Sequence, residues 1–397
     1  MSEAPRVAFK TLGCKVNQAE SEAIASDLAV AGVTAATDEA CDAIVVNTCT
    51  VTGEADHKAR KAIRHALGAT GGPVVVTGCL AAIDPDGVAA LGDRVVVEPD
   101  KARVAGRVAE WLGSGQPSSG GRVDDRDPSE DATSGASAVP RPSRTRVQVK
   151  VQDGCDAFCA YCIVPYARGG PRSVPAADVV ARVAALVDAG TAEVVLTGIN
   201  IGRYADGELG LPELIERVAA TGVGRIRVSS IEPRDVTERL LAVAARTPAF
   251  CRHLHIPLQS GSDRVLAAMG RPYDAQAFAE TAARACAALP GLAVTTDVIV
   301  GFPGESEDDD AESRAFVASQ RFARLHVFRY SARTGTPAAA RSDGVPAATI
   351  AERSSAMRTL GDELARAEAA SRVGESAEVL VERLVRGTEG GARLVEG

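Results

Sequence analysis

The chain has no long apolar run: stretches such as AVTTDVIVGF fall far short of the ~20 residues that a bilayer span needs. Its opening, MSEAPRVAFK, has no apolar signal core. No membrane association is expected, and a cytoplasmic protein is. An excess of positive charge is also missing, since 44 Lys and Arg stand against 52 Asp and Glu for a net charge of −8. That excludes a chain basic all over, so any nucleic-acid contact must use a local patch. At 397 residues the chain exceeds the usual size of one core, and two or three domains are expected.

What the sequence does have is cysteine in a telling pattern. Cys155, Cys159 and Cys162, in CDAFCAYC, give the spacing C-x3-C-x2-C. Three thiolates on one short loop can hold three corners of a four-iron four-sulfur cube and leave the fourth iron open. A structural zinc site would want a fourth nitrogen or sulfur ligand, and the next candidates, Cys251 and His253, are far away in sequence. An odd triple in a chain without a secretory signal also argues for reduced thiols rather than a disulfide. The spacing and its filler, with Tyr161 just before the last cysteine, resemble the radical S-adenosylmethionine (SAM) enzymes. The resemblance implies that SAM chelates the open iron and is cleaved to a 5′-deoxyadenosyl radical.

The segment up to about Trp111 alternates runs rich in Val and Ile (VAFKTLG, AIVVNT, PVVVTG) with amphipathic helices, the pattern of a parallel sheet wound in βαβ units. Cys14, Cys49 and Cys79 each follow one of these runs. The carboxyl ends of parallel strands share one sheet edge, so three thiols far apart in sequence can converge there. Buried structural cysteines are the alternative, but TLGCK, NTCTV and TGCLA place each Cys on a polar turn. Cys41, Cys251 and Cys286 are read as structural.

These blocks, TLGCKVNQAES, VNTCTVTGEADHKAR and VTGCLA, with VQDGCDAFCAYCIVPYARG, resemble the methylthiotransferases, a radical-SAM family carrying two 4Fe-4S clusters. GCKVNQ, HLHIPLQSGSD, DVIVGFPGE and LHVFRYSARTGTPAA are most like the bacterial MtaB type, tRNA (N6-L-threonylcarbamoyladenosine-C2)-methylthiotransferases. The resemblance implies that Cys14, Cys49 and Cys79 hold the cluster that presents sulfur, and that Cys155, Cys159 and Cys162 hold the one that cleaves SAM. It further implies a tRNA anticodon stem-loop as substrate and an electron donor such as flavodoxin or ferredoxin.

From Val147 on, six or so strand-helix units suggest an α/β protein whose second part is a partial or full barrel of parallel strands, with reacting groups at the strands' carboxyl ends. Tyr161, Thr197, Gly198, Asn200, Ser229, Glu232, Gln259 and Asp297 stand there as candidates for holding SAM, although Asn200 and Glu232 also suit helix and turn caps. Gly301, Pro303 and Gly304 read as a tight strand-to-helix turn, because the Lys-Ser/Thr ending of a P-loop is missing. His253 and His255 share one face of a strand; core and substrate-facing roles suit them equally, and metal ligation is not expected. Arg168 and Arg172, just after the radical loop, are candidates for RNA phosphates, as are Lys58, Arg60, Lys61 and Arg64 in HKARKAIRH, which ordinary solvated helix charge explains as well.

The expected domains are a methylthiotransferase domain over 1–113, a Ser-, Gly-, Pro- and Asp-rich linker over 114–144, a radical-SAM barrel over 145–372 and a partial TRAM-like segment over 373–397. That last segment reads as two strands around a Gly-rich turn, and about 25 residues are too few for an independent core. Isopentenyladenosine in tRNA or a ribosomal protein would suit the same two-cluster layout. A non-catalytic iron-sulfur electron carrier is the reading from another class, but it would not need a barrel.

Overall fold

The computed structural model describes residues 4–114, 145–385 and 394–396. The expected linker lies outside them, apart from Ser114, which ends a helix. The chain forms two compact units: Met1–Pro140 together with Tyr166–Arg168, and the remainder.

The first unit is built on five parallel strands, β1 (Arg6–Thr11), β2 (Thr34–Ala35), β3 (Ala43–Thr48), β4 (Val74–Gly78) and β5 (Val95–Val97), in the order β2-β1-β3-β4-β5. Its helices are α1 (Lys15–Val30), α2 (Gly53–Ala69), α3 (Cys79–Ile83), α4 (Pro85–Ala89) and α5 (Lys101–Ser114). β3 and β4 are buried at every position, which is why they read as unbroken apolar runs rather than alternating ones. Ile44, Val46, Val74 and Val76 pack on Ala59, Ile63 and Ala66 of α2. The intervening Ala43, Val45 and Val75 pack on Ile24 and Leu28 of α1 and on Val104 and Val108 of α5. Thr52 starts α2 by accepting from the Ala55 N–H, and Glu54 and Asp56 in the first turn complement the helix dipole.

The second unit opens with β6 (Arg146–Lys150) and the short pair β7 (Gln152–Asp153) and β8 (Arg172–Ser173), which flank the loop of the second cysteine group and α6 (Val164–Arg168). Then follow α7 (Ala176–Asp188), β9 (Glu193–Thr197), a hairpin of β10 (Ala205–Asp206) and β11 (Leu209–Gly210), α8 (Leu211–Ala219), β12 (Arg225–Val228) and α9 (Glu238–Arg246). β13 (His253–His255), α10 (Asp263–Ala268), α11 (Ala275–Ala288), β14 (Ala293–Val300), α12 (Glu307–Ser319), β15 (Arg324–Arg329) and α13 (Ala347–Ser371) complete the run.

β6, β9 and β12 form one parallel sheet and β13, β14 and β15 another. Isolated parallel bridges, Ile226 to Phe250 and Ser230 to His255, join the two. Among the described residues no pairing joins β15 back to β6, so the barrel is partial. α12 begins with a capping box between Ser306 and Asp309, and its first turn carries Glu307, Asp308, Asp309 and Asp310. The turn before it is pinned by Glu305, whose carboxylate accepts from the Gly301 N–H and from Nη1 of buried Arg353 at 2.6 Å. Gly301 has φ +77°, and a Cβ there would stand 2.4 Å from Ile350.

Sequence reading places no helix over residues 347–371, yet α13 is 25 residues long and packs on β15. Its buried positions are Arg353, Ser354, Met357 and Gly361, which draw no apolar stripe in the sequence. After it, β16 (Arg383–Val385) pairs antiparallel with β17 (Leu394–Glu396), as the two-strand reading expects; the intervening turn lies outside the described residues.

Candidate functional site

In the first unit Cys14 caps α1, Cys49 follows β3 and Cys79 opens α3, so the three sit past the carboxyl ends of the adjacent strands β1, β3 and β4. Asn17 ties the turns together: its Nδ2 donates to the carbonyls of Leu12 at 2.7 Å and Thr48 at 2.9 Å, and its Oδ1 accepts from the Cys14 thiol at 3.7 Å. Gly13, at φ +100°, lets the first turn come close, since a Cβ there would lie 2.5 Å from Cβ and 2.8 Å from Sγ of Cys49. The thiols feel one another: burial, then the charges of Cys79 and Cys14, raise the Cys49 pKa from the ordinary 9.0 to about 11. Burial also raises Cys79, while Arg168 and Lys101 pull it back.

Arg168 follows the second cysteine group in sequence but packs within the first unit. It is buried, with Nη1 2.9 Å from Glu20 Oε1, Nη2 2.6 Å from Asn17 Oδ1 and Nε 3.3 Å from the Cys79 sulfur. Lys101 reaches the other oxygen of Glu20 at 3.1 Å. The expectation that Arg168 contacts RNA phosphate is therefore corrected: its guanidinium is taken up by a buried carboxylate and a thiol. Asn17, Glu20 and Lys101 were not singled out by sequence, because Glu and Lys ordinarily mean solvent. In HKARKAIRH, Lys58 pairs with Glu54 and Arg60 with Asp84, while Lys61 and Arg64 are exposed.

In the second unit the loop of Cys155, Cys159 and Cys162 is held at both flanks. The Cys155 N–H donates to Gly169 O at 3.0 Å, Ala160 N–H to Met269 O at 2.9 Å, and Ala338 N–H to Ala160 O at 2.8 Å. Gly154, at φ +72°, passes so close to Gly170 that a Cβ would lie 2.0 Å from its carbonyl oxygen. Phe158 is held at φ +45° and is 55% exposed. Arg271 donates from Nη1 to the Cys159 sulfur at 3.2 Å, pairs with Glu232 and donates from Nε to the Tyr273 hydroxyl at 2.9 Å. Burial lifts Cys162 to about 12 and holds Tyr161 well above the ordinary phenol range.

The expected SAM contacts divide. Asn200 donates from Nδ2 toward the Cys155 sulfur at 3.8 Å and is positioned by Gln152 Oε1, 2.8 Å from its N–H. Glu232 reaches Cys159 through Arg271, and burial raises its pKa against the pull of that guanidinium. The Gly198 N–H donates to Ser229 Oγ at 3.4 Å. Gln259, at φ +71°, donates its N–H to the carbonyl of Asp297. Thr197 is buried at the end of β9, and Tyr161 packs beside Phe302 and Met269. Arg172 is exposed, 4.0 Å from Asp153. Arg271 was missed because a buried arginine leaves no signature in sequence.

Both donor sets suit an iron-sulfur cube better than one ion. Two sulfurs on a single tetrahedral zinc at ~2.3 Å would stand about 4 Å apart. Among the described residues the group of three potential ligands whose atoms all lie within 4.8 Å of one another is His255, Asp297 and His326; neither cysteine group is that tight. Each group adds an arginine N–H to one sulfur, a contact that stabilises thiolate charge and tunes a cluster's potential.

Residues 149–317 match the radical SAM superfamily, and residues 6–97 match the uncharacterized protein family UPF0004. Over 395 residues the chain is 41% identical to the threonylcarbamoyladenosine tRNA methylthiotransferase MtaB of Bacillus subtilis (strain 168), covering 96% of this chain and 86% of that protein. It belongs to the radical-SAM methylthiotransferase family. Relatives of this family with other names are also close: a tRNA-2-methylthio-N(6)-dimethylallyladenosine synthase of Parafrankia sp. (strain EAN1pec) is 36% identical over 94% of this chain and 77% of that protein. The fold resembles that of the radical SAM methyltransferase TsrM from Kitasatospora setae, with a TM-score of 0.63, 15% identity and coverage of 85% and 77% of the two chains. Among the described residues of this methylthiotransferase no helix is long and apolar enough to cross a membrane.

Proposed function

We propose that this enzyme places a methylthio group at C2 of N6-threonylcarbamoyladenosine beside the anticodon of tRNA, acting in the cytoplasm. The observation that carries this reading is the 41% identity, over nearly the whole chain, to a relative named for that nucleoside. Cys14, Cys49 and Cys79 would hold one 4Fe-4S cluster, and Cys155, Cys159 and Cys162 the other. When bound, the clusters and SAM supply a carbon radical and a sulfur, which acid-base chemistry cannot bring to the C–H at C2 of adenine.

The chain's own residues orient and set charge. Arg168 and Lys101 offset thiolate charge near Cys79, and Arg271 does so at Cys159. Asn200, Glu232, Gln259 and Asp297, with Tyr161, Thr197, Gly198 and Ser229, are the residues we propose for holding SAM. Exposed Lys61 and Arg64 in the first unit, and separately Arg172 beside Asp153 in the second, are the residues proposed for phosphates of the anticodon stem-loop. An electron donor such as flavodoxin or ferredoxin completes the requirement. The proposed division of labour is sulfur insertion by residues 1–113 and radical generation by 145–372, with 373–397 a TRAM-like addition.

Mass spectrometry of tRNA nucleosides from a strain lacking the gene tests the reading. Loss of the methylthio group from N6-threonylcarbamoyladenosine, restored by the gene, is expected. Loss confined to isopentenyladenosine, or to a ribosomal protein, would replace it with that substrate.

A further inference from the structure

Strands β14 and β15 pair in parallel with Asp297 beside His326 and Ile299 beside Phe328. Alternation sends these side chains, with Arg324, to one face. On β14 Asp297 and Ile299 of that face are partly exposed, Thr295 beside Arg324 is buried, and Val294, Thr296, Val298 and Val300 of the other face are buried. On β15 Arg324, His326 and Phe328 are exposed, Leu325 and Val327 of the other face are half-buried, and Arg329 at the strand's end is exposed. A phenylalanine 42% exposed on a strand, two residues from an exposed imidazole and four from an exposed guanidinium, does not serve a core.

Asp297 organises this face. Its Oδ1 lies 3.2 Å from Nε2 of His255 and 3.3 Å from Nδ1 of His326, and the two imidazole rings stack at 5.4 Å. Two ring nitrogens converge on one carboxylate oxygen, which holds both imidazoles in place. His326 is exposed, and its Nε2 is the atom that a ligand would meet. One rung further along, Ile299 packs against the same buried cluster of Val265, Met269, Phe302 and Ala338 as Ala160 and Tyr161 do, so the face leads from exposed Arg324 and His326 toward the loop of the second cysteine group.

We infer that this face holds the target nucleoside, with Phe328 stacking on the base while His326 and Arg324 take the carboxylate of its N6 substituent. The inference rests on the reading that the substrate is N6-threonylcarbamoyladenosine. A threonylcarbamoyl group carries a carboxylate and a hydroxyl; an isopentenyl group carries neither. Unstacked bases are read by aromatic stacking and edge contacts, and a charge-assisted contact to carboxylate is among the stronger ones available. A site built on such contacts rejects an analogue that lacks them, because its own polar groups are then left unpaired. His326, Arg324 and Phe328 are therefore the specificity residues.

Fluorescence anisotropy of anticodon stem-loop RNAs carrying N6-threonylcarbamoyladenosine or isopentenyladenosine, titrated with the anaerobically reconstituted full chain, tests the inference. The unsubstituted protein should prefer the threonylcarbamoyl RNA by at least ~10-fold. His326→Phe and Arg324→Ala should erase that preference, and Phe328→Ala should weaken both RNAs by ~10-fold, with melting temperature and iron content confirming that each variant folds. Retention of the preference in His326→Phe and Arg324→Ala overturns the inference. So does stoichiometric zinc that is lost in His326→Phe, which would make His255, Asp297 and His326 a metal site. Failure of the unsubstituted, loaded protein to methylthiolate the threonylcarbamoyl RNA would instead overturn the substrate reading itself.

Discussion

Arg168 donates from Nε to the sulfur of Cys79 at 3.3 Å while its Nη1 meets Glu20 at 2.9 Å, both ion-pair side chains being 3% exposed. One guanidinium thus links the carboxylate of α1 to a thiol at the end of β4. Removing it takes a guanidinium away from a buried carboxylate that Lys101 also meets at 3.1 Å.

Arg168→Met should therefore destabilise the cluster-free protein by about 3 kcal/mol, the lower end of the cost of breaking a buried pair. Glu20→Met in the same chain should recover part of that loss, because the buried carboxylate is then gone and only Lys101, whose side chain is 20% exposed, loses a partner. Urea unfolding of the two variants decides it: a double variant no more stable than the single one would show that the pair is not the source.

Anaerobically reconstituted protein should hold about eight irons, as two four-iron clusters require. With Cys155, Cys159 and Cys162 all replaced by Ala, iron should fall by about half and 5′-deoxyadenosine formation from SAM should vanish. Continued SAM cleavage by that variant would sink the assignment.

The converse triple variant, Cys14→Ala, Cys49→Ala and Cys79→Ala, should still yield 5′-deoxyadenosine but leave N6-threonylcarbamoyladenosine without its methylthio group. Nucleoside mass spectrometry after anaerobic turnover reads both products. A methylthiolated nucleoside from this protein would show that the strand-end cysteines are structural.

Thiols set a pH window for the cluster-free chain. Burial holds Cys49 at about 11 and Cys162 at about 12, against an ordinary 9.0. Between those values the folded chain keeps protons that the unfolded chain has released, so stability falls as pH rises from about 9 toward 11 and beyond. The melting temperature of cluster-free protein should drop across that range, and Cys49→Ala should flatten the drop. The reverse slope would contradict the buried-thiol account.

Much of the site was legible in the sequence because its donors are rare residues at diagnostic places. Cys14, Cys49 and Cys79 follow apolar runs that became β1, β3 and β4, and parallel strands share one carboxyl edge. Part of the barrel was legible too, since β9 and β14 are runs rich in Val and Ile between helices. α13 was not, since its buried positions are Arg353, Ser354, Met357 and Gly361. Arg271 and Glu20 were not, because a charged residue reads as surface until its partner is known.

By itself the sequence determined which atoms carry the chemistry: six cysteines, three on one loop and three at strand ends, with glycines where the turns must close. Only the tertiary structure decided where the cations go. Arg168 is written beside the second cysteine group yet packs with the first, and Arg271, far from Cys159 in sequence, donates to its sulfur. His326, exposed on the last barrel strand, meets Asp297 only through the register of β14 and β15. Ligand spacing along a loop is a local property and survives in sequence. Charge pairing inside a fold depends on which elements pack together, and no local pattern records it.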